Sequence, residues 1–415
     1  MSAIPTLAYL TDDLPGIGGR LKARLDDFLV EELPAYEPVG EGEHLMLFVE
    51  KRQLATTDVA RRLSRDFAAP RNDVGYAGLK DKHAITRQHF TVRLTDAGRE
   101  PDAAIARVNA HPGIEVLWAQ PHRNKLHRGH LAANRFVIRI RDVEPTAVLA
   151  AKRVLDQLVA RGTPNYVGEQ RFGYRANNDA IARRLLRGQH QQALDEMLGG
   201  PLEIESDALR AGREAYDRGD YAAALEHWPK HLRFDRQALD ALRQGRSPAD
   251  AVAAIDRTQR QFLISALQSA IFNRVLDRRV RDGTFDRLLV GDVAYKHANG
   301  AMFAVDADAA EGDNAADGRV ARFEVSPTGP MWGPKMLPTT DEPARLEAEV
   351  LASFELEAHD LDNAAQGTRR PLRIALRDAD ISGGVDEHGP YVRLAFELPP
   401  GAFATVALRE IMKNA

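Results

Sequence analysis

One carboxylate, Asp81, stands between Lys80 and Lys82 in the stretch Gly75-Tyr76-Ala77-Gly78-Leu79-Lys80-Asp81-Lys82-His83-Ala84-Ile85-Thr86-Arg87-Gln88. Nearby positive charge favours the ionised form of an acid, so this carboxylate should stay ionised. Gly75 and Gly78 admit unusual dihedrals and the close approach of another chain segment. Beyond the turn, Phe90, Val92 and Leu94 alternate with His89, Thr91 and Arg93, the period-2 pattern of a half-buried strand. The same residue types also suit a solvated surface turn, and composition alone does not separate the two readings.

Tyr76 through Lys82, with Ala84-Ile85-Thr86-Arg87-Gln88, resembles the signature of the tRNA pseudouridine synthase D family, and four further blocks agree in order. Gly19-Arg20-Leu21-Lys22-Ala23 and Asp26-Asp27-Phe28-Leu29-Val30-Glu31-Glu32 resemble the family's opening strand. Leu25 departs from the proline usual there, and Asp26 from the usual Glu. His127-Arg128-Gly129 through Asn134-Arg135-Phe136 is similar to the family's basic turn and Asn-x-Phe strand. Asn165-Tyr166-Val167-Gly168-Glu169-Gln170-Arg171-Phe172-Gly173 is similar to its central block. Leu398-Pro399-Pro400-Gly401-Ala402-Phe403-Ala404-Thr405, with Leu408-Arg409-Glu410, is similar to its C-terminal block.

The resemblance implies an isomerase that converts a uridine of tRNA, at position 13, to pseudouridine without a cofactor. Such a reaction breaks the bond between ribose C1′ and uracil N1, turns the base, and joins C1′ to C5. The family's catalytic aspartate falls on Asp81, which would either attack C1′ or remove the 2′ proton; the sequence does not choose. Lys22, Lys80 and Lys82 are the candidates for a basic neighbour keeping Asp81 ionised, and the family's opening motif favours Lys22. Phe28 and Phe403 match positions that contact the target base. Asn134 matches a substrate-binding Asn, whose amide both donates to and accepts from a uracil edge. Phe136 offers a further ring for stacking, although core packing explains it equally well.

The implied fold is α/β (α+β), a pseudouridine synthase catalytic domain with a mixed, mainly antiparallel sheet, interrupted by a family-specific α/β insertion. Residues 1–163 and 345–415 would form the catalytic domain and 164–344 the insertion. The helical stretch from roughly 185 to 255 is longer than in the shorter bacterial members and resembles the archaeal-type ones.

Composition bounds the alternatives. A chain of 415 residues has room for two or three domains, and 44% hydrophobic with 28% charged residues is ordinary globular composition. No apolar run approaches the roughly 18 residues of a membrane span, and Met1 to Asp12 carries no basic leader followed by an apolar stretch. The absence of cysteine excludes disulfides and thiolate metal sites and fits a reducing, cytoplasmic setting. No metal and no obligatory protein partner is expected.

A net charge of −4 gives no global sign of nucleic acid, but charge can act locally. Arg123, Lys125, Arg128, Arg135, Arg139 and Arg141 lie between Gln120 and Arg141 without a single acid. A second run holds Arg161, Arg171, Arg175, Arg183, Arg184 and Arg187 against Glu169 and Asp179. Such patches bind phosphates through counterion release, and arginine-rich solvated surfaces have the same composition; it is the family resemblance that makes RNA, as tRNA, the expected partner.

Several elements must hold these residues. Leu45 to Val49 reads as a strand, and Thr56 or Thr57 as the cap of a helix with Val59, Leu63 and Phe67 on one face. In Arg135 to Arg141, Phe136, Ile138 and Ile140 point one way. Arg135, Arg139 and Arg141 point the other, a face suited to backbone phosphates. A helix follows Pro145 and stops at Gly162 and Pro164. Residues 175–282 read as helical, Ser326 to Pro334 as a loop, and the C-terminal part as paired strands turning at Ser382-Gly383-Gly384.

Weaker signals point elsewhere. Gly16-Ile17-Gly18-Gly19 lacks the spacing and preceding strand of a nucleotide-binding loop. Asp306, Asp308, Glu311, Asp313, Asn314 and Asp317 miss the EF-hand pattern at its glycine and terminal Glu, and read as a solvated acidic loop. Around His122, His127 and His130, arginines oppose a bound cation. Two other functions compete with the isomerase: a catalytically inactive RNA-binding or RNA-chaperone protein of the same fold, and an RNA hydrolase. The hydrolase would need a second acid or base near Asp81, for which only His83 is close in sequence.

Overall fold

Apolar residues at every second position build the strands on either side of Asp81. The structure is a computed structural model that describes residues 7–94 and 100–414. They fall into two units, 10–163 with 374–414 and 7–9 with 164–373. In the first, β1 (Phe28–Pro34), β2 (His44–Arg52), β3 (Val74–Tyr76), β4 (Ile85–Arg93), β5 (Ile114–His122) and β6 (Leu131–Arg141) join two C-terminal strands, Arg377–Asp386 and Gly389–Leu398. The eight strands make one sheet, in the order Arg377–Asp386, Gly389–Leu398, β6, β1, β4, β2, β5, with β3 also paired to β4. Only the β1–β4 pair is parallel; the other pairs are antiparallel. The sheet is mixed and mainly antiparallel, as expected.

Helices α1 (Thr56–Asp66) and α2 (Pro101–Asn109) share a core with Leu45, Leu47 and Val49 of β2 and Phe90 and Val92 of β4. In the other half of the sheet, Ile138 and Ile140 of β6 and Val392, Leu394 and Phe396 of the last strand are fully buried. Helix α3 (Val148–Arg161) packs there against the strand Arg377–Asp386 and the C-terminal helix Ala404–Met412.

The hairpin does not turn at Ser382-Gly383-Gly384. These residues lie inside a strand, and the chain turns between Asp386 and Gly389. The two glycines are spent on close packing: a Cβ on Gly383 would meet the Pro145 carbonyl oxygen at 2.4 Å, and one on Gly384 the Tyr391 hydroxyl at 2.6 Å.

In the second unit, helices between Asn178 and Ala254 pack on the 25-residue helix Arg257–Arg281 through Leu263, Leu267, Ile271 and Val275. A four-stranded sheet follows in the order Thr368–Pro371, Val325–Met331, Val293–Lys296, Met302–Ala304. Val325–Met331 corrects the loop expected from its prolines and glycine, because burial of almost the whole segment overrides its local turn signals. The boundary expected at 344 falls instead at 373. Val350, Leu351, Leu356 and Leu361 belong to the core built on the long helix, which keeps residues 345–373 in this unit.

The acidic loop is also largely structured: Ala307–Asp313 is helical, Asp306 caps it through Ala309 N, and Asp313 pairs with Arg319 at 2.6 Å. Among the described residues, no helix is long and apolar enough to cross a membrane.

Candidate active site

Asp81 lies in the connection between β3 and β4, and neighbouring elements fix its main chain atom by atom. The Thr56 hydroxyl accepts from Lys80 N at 3.0 Å and donates to the Gln88 side chain at 2.9 Å. Gln88 in turn donates to the Gly78 carbonyl at 3.3 Å. Thr56 or Thr57 was expected to cap α1; Ala55 stands at the N-cap, and the Thr56 hydroxyl serves the Asp81 loop. Lys51, at the end of β2, donates to the carbonyls of Asp81 at 2.9 Å and Leu54 at 2.7 Å.

The basic turn His127-Arg128-Gly129 docks on the same loop, with Gly129 N donating to the Ala77 carbonyl at 2.8 Å. This approach needs Gly75, where a Cβ would lie 2.4 Å from the Leu126 carbonyl oxygen. Gly78 has room for a Cβ, so space does not require a glycine there.

The Asp81 carboxylate receives the Lys22 ammonium on Oδ2 and the backbone N–H of His83 on Oδ1 at 2.9 Å. Burial pushes this carboxyl up, but the hydrogen bonds from Lys22 and His83 and the charges of both outweigh it, holding it below its ordinary range. With 33% and 32% of their side chains exposed, Lys22 and Asp81 remain open to a ligand. Lys22 has a left-handed backbone, φ 51°, and its ammonium lies 4.6 Å from the centre of the Phe28 ring.

The other two candidate lysines go elsewhere. Lys80 reaches Glu32 at 2.5 Å, and Lys82 is exposed. Burial pushes the Lys51 ammonium down to about 8, and the Lys80 charge adds to that while Asp81 opposes it.

Asn134 on β6 pairs in register with Glu32 on one side and Leu398 on the other. Its Oδ1 is buried and has no hydrogen-bond partner among the described residues. Phe403 is half-buried at the N-cap of the C-terminal helix, five residues beyond Leu398. Phe28 and Phe136 meet edge to face at 6.4 Å, and Phe136 lies 5.7 Å from Phe396. At 5% and 8% exposure, Phe28 and Phe136 are both core residues, and packing accounts for each.

Not all of the basic residues form a phosphate surface. Arg141, expected on such a face, is buried and bonds Asp27 at 2.7 Å and Asp386 at 2.6 Å. Arg139 stacks over Tyr391 at 5.2 Å, while Arg128 and Arg135 are exposed. In the second run, Arg175 pairs with Glu205 at 3.1 Å, Arg183 and Arg187 with Glu355, and Arg184 with Gln189 at 2.8 Å. The loop Gly16–Gly19 is tied to the C-terminal helix through Ile17 N to Ile411 O, 3.0 Å, and Gly18 N to Met412 O, 2.9 Å. His122 stacks on Tyr36 at 5.4 Å, and His130 contacts the Tyr36 hydroxyl at 2.8 Å.

Comparison with known proteins decides the family. The pattern of tRNA pseudouridine synthase D (TruD) matches residues 6–411. The chain belongs to the tRNA pseudouridine synthase D family. It is 42% identical over 413 residues to the tRNA pseudouridine synthase D of Geobacter sulfurreducens, covering 98% of this chain and 97% of that one. The Thermus thermophilus tRNA pseudouridine synthase D is 35% identical over 405 residues, 98% of this chain and 92% of that one. A crystal structure from Methanosarcina mazei, assigned to the same group, superposes with a TM-score of 0.82 at 25% identity, covering 98% of this chain and 96% of that one.

Pseudouridine synthases are isomerases acting on RNA. The helical stretch 185–255 does not set this chain apart from bacterial members, since the Geobacter relative aligns over nearly its whole length.

Lys51, Glu32, Thr56 and Gln88 were missed as site residues. Two of them left a signal. Lys51 continues the inward series Leu45, Leu47, Val49, and Glu32 continues Phe28, Val30, so each puts a charge where the period calls for an apolar side chain.

Proposed function

We propose that this protein isomerises a uridine of tRNA, uridine 13, to pseudouridine, with Asp81 as the catalytic carboxylate. The observation that carries this reading is the Lys22–Asp81 pair, one-third exposed, beside Phe28. The reaction balances without a co-reactant. The C1′–N1 bond breaks and the C1′–C5 bond forms; C5 gives up a proton and N1 gains one, so nothing is oxidised or reduced.

Asp81, kept ionised by Lys22, acts at the ribose, either on C1′ or on the 2′ proton. The unpaired Oδ1 of Asn134 accepts from uracil N3–H, and leaving it empty when buried is costly. Phe403, half-buried, supplies a ring face that offsets the few kcal/mol of unstacking a uridine, since base–aromatic stacking is worth about 1–3 kcal/mol. Arg128, on the turn docked to the Asp81 loop, offers a phosphate contact.

The test maps pseudouridine by carbodiimide primer extension on a tRNA transcript incubated with purified protein. A stop at uridine 13, absent when that base is cytidine, supports the reading. Modification at another uridine overturns the position, and none at all overturns the activity.

A further inference from the structure

We propose that Lys51 is a positioning residue for this reaction, its buried ammonium holding the main chain that carries the Asp81 carboxylate; the inference rests on Asp81 being catalytic. Lys51 is fully buried at an inward position of β2, opposite Thr86 of β4 and Ile114 of β5. Its Nζ donates to Asp81 O and Leu54 O, tying the Asp81 loop to the chain just before α1. One residue earlier, Lys80 N is held by Thr56 Oγ1 at the start of the same helix. Residues 80 and 81 are thus bracketed by two tethers of opposite polarity, one on an N–H and one on a carbonyl.

The cost of this arrangement argues for function. Among the described residues, no carboxylate pairs with Lys51; the charges acting on it are Asp81, which is favourable, and Lys80, which is not. A buried ammonium without a partner carboxylate is expensive, and a neutral side chain of the same volume would fill the space more cheaply. What that side chain would lack is the grip on Asp81 O. A carboxylate displaced by about 1 Å can lose about a hundredfold in rate.

The absence of cysteine from the chain allows a clean test. Lys51→Cys, alkylated in denaturant with bromoethylamine and refolded, regains a lysine-length amine. Alkylation with bromopropane gives the same shape ending in a methyl group. Wild-type protein taken through both procedures is the control. The aminoethyl protein is expected to modify tRNA in a single turnover at close to the control rate, and the propyl protein about a hundredfold slower, with equal tRNA dissociation constants. Lys51→Met, prepared without refolding, is expected to behave like the propyl protein.

Equal rates for the two alkylated proteins, or a Lys51→Met protein as fast as wild type, would overturn the inference. So would a loss of tRNA binding in step with the rate, which marks a structural role. Untreated wild type inert on tRNA, or an active Asp81→Asn protein, counts against the proposed function itself.

Discussion

The ammonium of Lys80, next to Asp81 in sequence, lies 2.5 Å from the carboxylate of Glu32, with both side chains buried. Glu32 also accepts from the backbone N–H of His89 at 3.1 Å. Burial pushes the Glu32 carboxyl up, but His89 and Lys80 outweigh it, so it sits below its ordinary range. Removing one partner of such a pair strands the other charge, which typically costs about 3–5 kcal/mol. Lys80→Met is therefore expected to lower stability by about 3 kcal/mol in urea unfolding. A loss below about 1 kcal/mol would mean the pair carries little.

Lys22 should behave in the opposite way, because its pair with Asp81 is partly exposed and contributes little to stability. Its effect appears in the pH profile. Asp81 has a folded value below the ordinary one, so it stays ionised as pH falls through the usual carboxylate range, and protonates only below it. The small stability that comes with this is present above the unfolded value and lost as pH falls through the folded one. In Lys22→Met, burial is no longer outweighed to the same extent, and the acid limb of the single-turnover rate is expected to move to higher pH. An unmoved limb would show that Lys22 does not set the charge of Asp81.

Thr56→Val removes the acceptor for Lys80 N and the donor to Gln88 while keeping the shape. One such bond is worth about 1 kcal/mol of stability. The rate is expected to fall by about tenfold or more, from a displaced carboxylate. Thermal unfolding and single-turnover kinetics on one preparation separate the two effects, and a rate equal to wild type would contradict the tether.

Arg141 tests the division of the basic stretch. It neutralises Asp27 and Asp386, so Arg141→Met is expected to cost about 3–5 kcal/mol of stability. The salt dependence of tRNA binding should stay as it was. Arg128→Ala should leave stability near wild type and lower the log–log salt slope by about one. Exchange of these two outcomes would return Arg141 to the phosphate surface.

Local chemistry was legible in the sequence and long-range partnership was not. The Asp81 stretch and the alternation in β4 could be read directly, because both are set by neighbouring residues. That Lys22 and not Lys80 faces Asp81 came only through the family's opening motif, because the contact spans 59 positions and leaves no local mark. Arg141 has the parity of a solvent-facing residue, and only the fold brings Asp27 and Asp386 to it. Gly383 and Gly384 read as a turn because their use, clearance for Pro145 and Tyr391, leaves no mark in local sequence. Prolines and a glycine hid the strand Val325–Met331 in the same way.

The role of Asp81 is decided by comparing wild type, Asp81→Asn and Asp81→Glu in single turnovers on a uridine-13 tRNA transcript, with tRNA affinity measured alongside. Full modification by wild type, none by Asp81→Asn, and tRNA affinity within about twofold for all three are expected from Asp81 as the catalytic group, because the substitution removes a catalytic group and not a binding one. Pseudouridine formed by Asp81→Asn would contradict it. So would tight binding without modification by wild type, which would leave an RNA-binding protein of this fold.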